Sequence, residues 1–251
     1  MALRDQWMDR AEALLRQIRA EQGEQILKAA RLIAECLASG GALHYYDSGH
    51  CTGELLNRAG GLFAINQIQL NLSATHPLPP RHRGKPKEAL APEEEWQLEG
   101  EALKLLCAQL NWQPGDALLD CSVSGARTVP VGLALEARRR GIKVVAITSY
   151  AYSSAVPARN PWGKKLYEVA DVAIDNCVPI GDASLQVAGL ETPICPLSGL
   201  AFVHISWALV AAVVEELLAR GVMPTVFRSV NLADGPEFNE RARQRYEELG
   251  I

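Results

Sequence analysis

The sequence has no Cys-x-x-Cys pair, no Lys- or Arg-rich block, no low-complexity tract and no fixed-period repeat, and each absence removes a class of function. Its six cysteines (Cys36, Cys51, Cys107, Cys121, Cys177 and Cys195) are scattered, which argues against a disulfide framework or a zinc finger and fits a reducing cytosol. Most of them read as small buried apolar residues. With 25 basic and 29 acidic residues the net charge is -4, so no broad face attracts nucleic acid. No apolar stretch reads as a bilayer span, and Arg4, Asp5, Asp9 and Arg10 interrupt any signal-peptide core. The first strand is not followed by Gly-x-Gly-x-x-Gly, and no Walker loop is present, which argues against a nucleotide site. The expectation is a cytoplasmic protein with no cofactor, no resident metal, no membrane and no nucleic-acid partner.

What is present suits one globular domain over residues 1–251, with 48% apolar and 22% charged residues to build a core and a surface. The chain is organised around residues 117–149. A buried apolar run, Ala117 to Cys121, meets a Ser/Gly loop, Ser122 to Gly125; an amphipathic segment carries Arg127 to Arg140; Gly141 stops it; and Val144 to Ile147 is a second apolar run. In such a strand, helix, strand unit the strands are parallel and the loops leaving their carboxyl ends share one edge of the sheet.

Other elements extend the pattern. Residues 2–22 and 24–37 read as two amphipathic helices divided at Gly23, a helical leader of about 1–38. Strands are expected at Ala42 to Tyr46, Leu62 to Ile65, Val172 to Asn176 and Thr192 to Cys195, with helices at Cys51 to Arg58, Glu93 to Leu110, Lys165 to Ala170 and Ser198 to Arg220. The last of these is the most apolar and is expected to be buried, against the sheet or a second copy. A tail of about 221–251 holds an extended piece, Thr225 to Leu232, and a charged helix, Pro236 to Leu249. Between 66 and 92 a proline-rich loop carries the basic cluster Arg81-His82-Arg83-Gly84-Lys85. Strands alternating with helices predict an α/β, doubly wound parallel sheet.

Two kinds of chemistry compete for the central loop. Ser122, Ser124 and Gly125 at a helix amino end, beside Ser149, make an anion pocket that needs no lysine, and phosphate is its natural guest. The plainer role for the serines is to cap that helix. His50 and Glu54 are four residues apart, so on one helix they share a face and reach the crevice. A carboxylate to carry a proton between neighbouring carbons and an imidazole to assist ring opening suit aldose–ketose isomerisation. The plainer alternative is that His50 packs at a helix start and Glu54 pairs with Arg58 on the surface. His50, Glu54 and His204 are also acceptable zinc ligands, a minor reading because His204 lies in an apolar helix.

The stretches Asn57-Arg58-Ala59-Gly60-Gly61, Ser122-Val-Ser124-Gly125, Val144-Val-Ala-Ile-Thr148-Ser149 and Leu166 to Asn176, in that order, resemble a sugar isomerase (SIS) domain protein of the bacterial group related to phosphoheptose isomerases. The resemblance covers roughly residues 25–235. It implies a five-stranded sheet in flavodoxin-like order, a homodimer or tetramer, and a phosphorylated sugar held near the subunit interface. Ser122 and Ser124 match the family's phosphate-loop hydroxyls, and Ser149 with Ser153 or Ser154 matches the second loop. Glu54 falls near the general base and His204 near a histidine of phosphoheptose isomerases. Many members have Asn where this chain has Val123, and Gly-x-Gly where it has Asp47-Ser48-Gly49. Val123 removes a polar contact; Asp47 repels phosphate but suits a sugar hydroxyl. An isomerase working through an enediolate is expected, with lyase or deaminase chemistry, or phosphosugar sensing without turnover, as the alternatives.

Overall fold

The computed structural model describes residues 1–51, 53–73, 75–82 and 89–251, so Arg83, Gly84 and Lys85 of the basic cluster lie outside the described residues. Five parallel strands, β1 (Leu43–Asp47), β2 (Ile65–Gln67), β3 (Ala117–Cys121), β4 (Lys143–Thr148) and β5 (Val172–Asp175), form one sheet in the order β2-β1-β3-β4-β5. Every residue of β3 is buried, as a strand covered on both faces requires. Its register sets Tyr46 beside Asp120 and Asp47 beside Cys121 on one side, and Cys121 beside Ile147 on the other. Strand order reverses between β1 and β3, so the connections that leave them diverge and open a crevice at the carboxyl edge.

One face of the sheet is covered by α1 (Leu3–Ala38) and α6 (Ser198–Ala219), which pack on each other. The expected break at Gly23 does not occur: α1 is continuous for 36 residues, about 54 Å at the α-helical rise. A Cβ at Gly23 would meet only open space, so the glycine there is not a packing requirement. Its cost of about 1 kcal/mol relative to alanine is outweighed by the buried stripe Ile18, Ile26, Ala29, Ala30 and Ile33 on either side. Helix α6 is long and apolar enough to cross a bilayer by length and composition alone, contrary to the reading of the sequence. Its apolarity is used in the core, where Phe202, Ile205, Leu209, Val213 and Leu217 are buried.

The other face carries α2 (Pro92–Cys107) and α3 (Thr128–Arg139), followed by the short α4 (Tyr150–Ala155) and α5 (Leu166–Val169). A Cβ on Gly132 would lie 2.4 Å from Leu103 Cδ2 and 2.6 Å from a Trp162 ring carbon, so only glycine lets α3 approach α2 this closely.

Two further expectations are corrected. The expected helix Cys51 to Arg58 is replaced, over its described residues 53–58, by turns and bends: Gly53 (φ 77°) and Asn57 (φ 55°) take left-handed backbone, and the Asp47 carboxylate holds the amides that would begin a helix. The strand near Thr192 to Cys195 does not join the sheet. It forms β7 (Ile194–Pro196), antiparallel to β6 (Ala183–Leu185), and positive φ at Asp182 (68°) and Cys195 (61°) keeps that hairpin short.

The tail closes back on the segment before β2. Gly60 N–H donates to Phe227 O, Phe227 N–H to Gly61 O, and Phe63 N–H to Thr225 O, while the Phe63 and Phe227 rings stack 3.6 Å apart. Leu62, expected to begin β2, pairs instead with Val226. Helix α7 (Gly235–Leu249) follows and ends on Gly250 in the left-handed region, φ 74°.

Candidate functional site

At the switch point between β1 and β3 lies a cavity of about 320 Å³ lined by Tyr46, Ser48, His50, Glu99, Ser122, Ser124 and Arg127, with the first turn of α3. Neither Ser122 nor Ser124 directs its hydroxyl to a partner among the described residues, and α3 has no side-chain cap. The capping role is therefore not the one they fill. Three serine hydroxyls, unsatisfied N–H groups at a helix start and one guanidinium converge on one concavity, an arrangement suited to an anion. Ser48 is tied to the loop as well, donating to Cys121 O at 3.1 Å.

The loop is fixed from below. Thr148 Oγ1 and Ser149 N–H both donate to Val123 O, and Leu166 N–H donates to Gly125 O at 2.8 Å. A Cβ at Gly125 (φ 53°) would lie 2.8 Å from Thr148 Oγ1, so this position is glycine for space as well as for backbone. Val123 turns into the core and is 3% exposed, so its side chain is absent from the cavity lining. Ser149 caps α4, accepting from Tyr152 N–H and donating to Val178 O at 2.6 Å. The Ser153 hydroxyl is buried with no hydrogen-bond partner among the described residues, and Ser154 donates back to Tyr150 O; none of these three lines the cavity.

Asp47 organises the turn after β1. Its Oδ1 accepts from Gly49 and His50 N–H at 3.1 and 2.9 Å, and its Oδ2 from Cys51 N–H at 2.8 Å. The carboxylate is thus directed at backbone donors. His50 stands at the cavity wall, stacked on Phe202 with ring centroids 5.5 Å apart, and its Nδ1 is 3.1 Å from Ser198 Oγ. Glu54 lies off the cavity lining, where Oε1 accepts from Trp207 Nε1 at 3.3 Å and pairs with Arg58 at 3.3 Å. The surface pair that the spacing allowed is therefore formed, without the helix. His204 is half-buried on the outer side of α6, one turn before Trp207. Among the described residues no group of three or more His, Cys, Asp or Glu side chains is placed to hold a metal ion.

The SIS domain family matches residues 6–149, more than half of the chain, and that stretch contains β1 to β4 and the serine loop. The chain belongs to the SIS domain family. A UPF0309 protein of Streptomyces griseus is 34% identical over 250 residues, covering 97% of this chain and 95% of its own length. A UPF0309 protein of Halalkalibacterium halodurans is 34% identical over 239 residues, covering 93% of each. Among solved structures, the phosphoheptose isomerase GmhA of Neisseria gonorrhoeae superposes with a TM-score of 0.50 at 14% identity, over 82% of this chain and 94% of that one, a likeness of fold. The five-stranded order expected from the resemblance is the one this SIS chain has.

Three features of the SIS site were not read from the sequence. Asp182 and Ser198, which brace His50, come from a loop and a helix start more than 130 residues away; a Gly-Asp turn and a serine opening an apolar helix were the only local signals. Asp120 is the third. It is the penultimate residue of β3 at 0% exposure, and neither carboxyl oxygen has a hydrogen-bond partner among the described residues. Burial, reinforced by the charge of Asp47, pushes its pKa well above the usual carboxylate range. Four of the six cysteines, Cys36, Cys51, Cys107 and Cys121, are buried as expected, while Cys177 and Cys195 are half-buried; burial pushes Cys51 and Cys107 up to about 11 and Cys36 up to about 12, leaving neutral thiols.

Proposed function

We propose that this SIS protein binds a phosphorylated sugar in the β1/β3 crevice and isomerises it between aldose and ketose. The observation that carries the reading is the convergence of Ser48, Ser122 and Ser124 with Arg127 and the uncapped start of α3. The phosphate would sit on this loop, and the sugar would extend past His50 toward Glu54. His50 takes the proton of the anomeric hydroxyl; the ring C–O bond breaks as the carbonyl forms, and the ring oxygen receives the proton back. Glu54, which falls near the family's general-base position, then takes the C2 proton and returns it to C1 through an enediolate, while the O2 hydroxyl proton passes to O1. Fixed geometry supports this choice of carboxylate, since Glu54 is held by Trp207 from α6 and by Arg58, whereas Glu99 is exposed on α2.

Thermal-shift screening across sugar phosphates, followed by proton exchange in heavy water, tests the two parts of the reading. Stabilisation by a phosphorylated sugar and not by its unphosphorylated form is expected. Stabilisation without exchange would instead make the protein a phosphosugar sensor. Ser124→Ala should weaken binding by about 1–3 kcal/mol through the loss of a charge-assisted hydrogen bond, read by calorimetric titration. Unchanged affinity would remove Ser124 from the site.

A second copy is expected to complete the assembly. Helix α6 leaves Val203, Trp207 and Ala208 only half-buried at the margin of the core, and Leu3 and Met8 are exposed on α1. Light scattering at micromolar concentration should give the mass of a dimer or tetramer; a monomer of 27.3 kDa would refute the shared site.

A further inference from the structure

The imidazole of His50 is held on two sides, and its hydrogen bond has a direction. Ser198 Oγ–H donates to Asp182 Oδ2 at 2.6 Å, and Asp182 Oδ1 accepts the backbone N–H groups of Leu197 at 3.1 Å and Ser198 at 2.8 Å. An ionised carboxylate only accepts, and a hydroxyl has one hydrogen to give. With that hydrogen given to Asp182, Ser198 Oγ meets His50 Nδ1, 3.1 Å away, as an acceptor. Nδ1 must then carry the hydrogen, and Nε2 keeps the lone pair. Phe202, stacked on the ring at 17°, resists the rotation that would exchange the two nitrogens.

We infer that Asp182 and Ser198 are positioning residues that hold His50 in its Nδ1–H form, so that Nε2 is the proton acceptor presented to the serine-lined cavity. Nε2 makes no hydrogen bond among the described residues, while Glu99 and Arg127 are the charged side chains that share the cavity wall. The chemistry is balanced and needs no co-reactant: a substrate O–H bond breaks, an Nε2–H bond forms, and the same proton returns to the oxygen released when the sugar ring opens. When the ring takes up that proton, its Nδ1–H stays directed at Ser198 Oγ, so the geometry of the brace is unchanged by the transfer. Asp182 takes the left-handed backbone, φ 68°, a conformation that Asp tolerates better than most residues; it lets one carboxylate reach two backbone amides and a hydroxyl.

The identity of the proton, a sugar hydroxyl, rests on the phosphosugar reading; the tautomer does not, and the test separates them. Long-range nitrogen–proton correlation spectra of the full chain, without ligand, should show His50 as the Nδ1–H form. Ser198→Ala should move it toward Nε2–H, and Ser198→Thr, which keeps the hydroxyl, should restore it. An Nε2–H form in the wild type, or no change in Ser198→Ala, overturns the inference whether or not any sugar phosphate binds. With an active substrate, Ser198→Ala should lower kcat about a hundredfold, with KM within about threefold and Ser198→Thr recovering most of the loss. A changed tautomer with unchanged kcat would overturn the assignment of Nε2 as proton acceptor.

Discussion

Glu54→Gln is expected to lower turnover of a sugar phosphate by about a hundredfold to ten-thousandfold while leaving ligand affinity nearly unchanged. Glutamine keeps the shape of the side chain and can still accept from Trp207 Nε1 through its amide oxygen. What it loses is basicity and the ion pair with Arg58. That pair joins side chains 27% and 58% exposed, so its loss should change stability by less than about 1 kcal/mol. Glu99→Gln is the matched control: its carboxylate lines the cavity but is exposed, and the expected loss is below about tenfold. Steady-state rates and melting temperatures of both variants decide the assignment. Full activity in Glu54→Gln returns that residue to a surface pair, and an inactive Glu99→Gln would move the base to α2.

Asp120→Leu should raise the melting temperature, and by more at pH 8 than at pH 5. An Asp in the unfolded chain ionises near pH 3.9, whereas burial in β3 keeps the folded Asp120 protonated well above that. The unfolded state therefore releases a proton that the folded state retains. Stability is undiminished below the unfolded pKa and falls, by about 1.4 kcal/mol per pH unit, as pH rises toward the folded value. Asp120→Asn removes this slope but leaves polar atoms buried without partners. Asp120→Leu removes both, for a further gain of about 1–3 kcal/mol. Calorimetry on the three proteins at pH 5 and pH 8 reads the effect; equal differences at the two pH values would mean that Asp120 is not held neutral. Because Asp120 is in register with Tyr46 at the cavity wall, a stabilised variant with altered ligand affinity would show that the destabilising carboxyl is retained for binding.

The sheet was legible because its central strands carry strong signals. Ala117 to Cys121 and Val144 to Ile147 are short apolar runs bounded by Ser/Gly loops, and a strand buried on both faces has that composition. The serine loop was legible because it follows such a strand directly. The segment after β1 was misread because four-residue spacing cannot reveal that Asp47 takes three backbone amides and that Asn57 adopts a left-handed conformation. Gly23 misled in the opposite sense, since a glycine in an exposed helical position is a small local cost that long-range packing on α6 outweighs. The bracing of His50 was invisible for a third reason: Asp182 and Ser198 meet it only through the tertiary fold, and no pattern in a window of ten or twenty residues contains all three.

The closure of the tail on residues 60–63 sets an order on the birth of the protein. Gly60 and Phe63 find their hydrogen-bond partners only at Phe227 and Thr225, more than 160 positions later. At about 5–20 residues per second, a ribosome reaches that partner roughly 10–30 s after making the segment. Until then Gly60 N–H, Gly61 O and Phe63 N–H lack these partners, and Phe63 lacks the ring that covers it. The rim beyond Glu54 is therefore among the last parts to assemble, so a nascent chain should hold the serine loop before it holds a competent site, and a chain truncated before residue 223 should hold the loop without one.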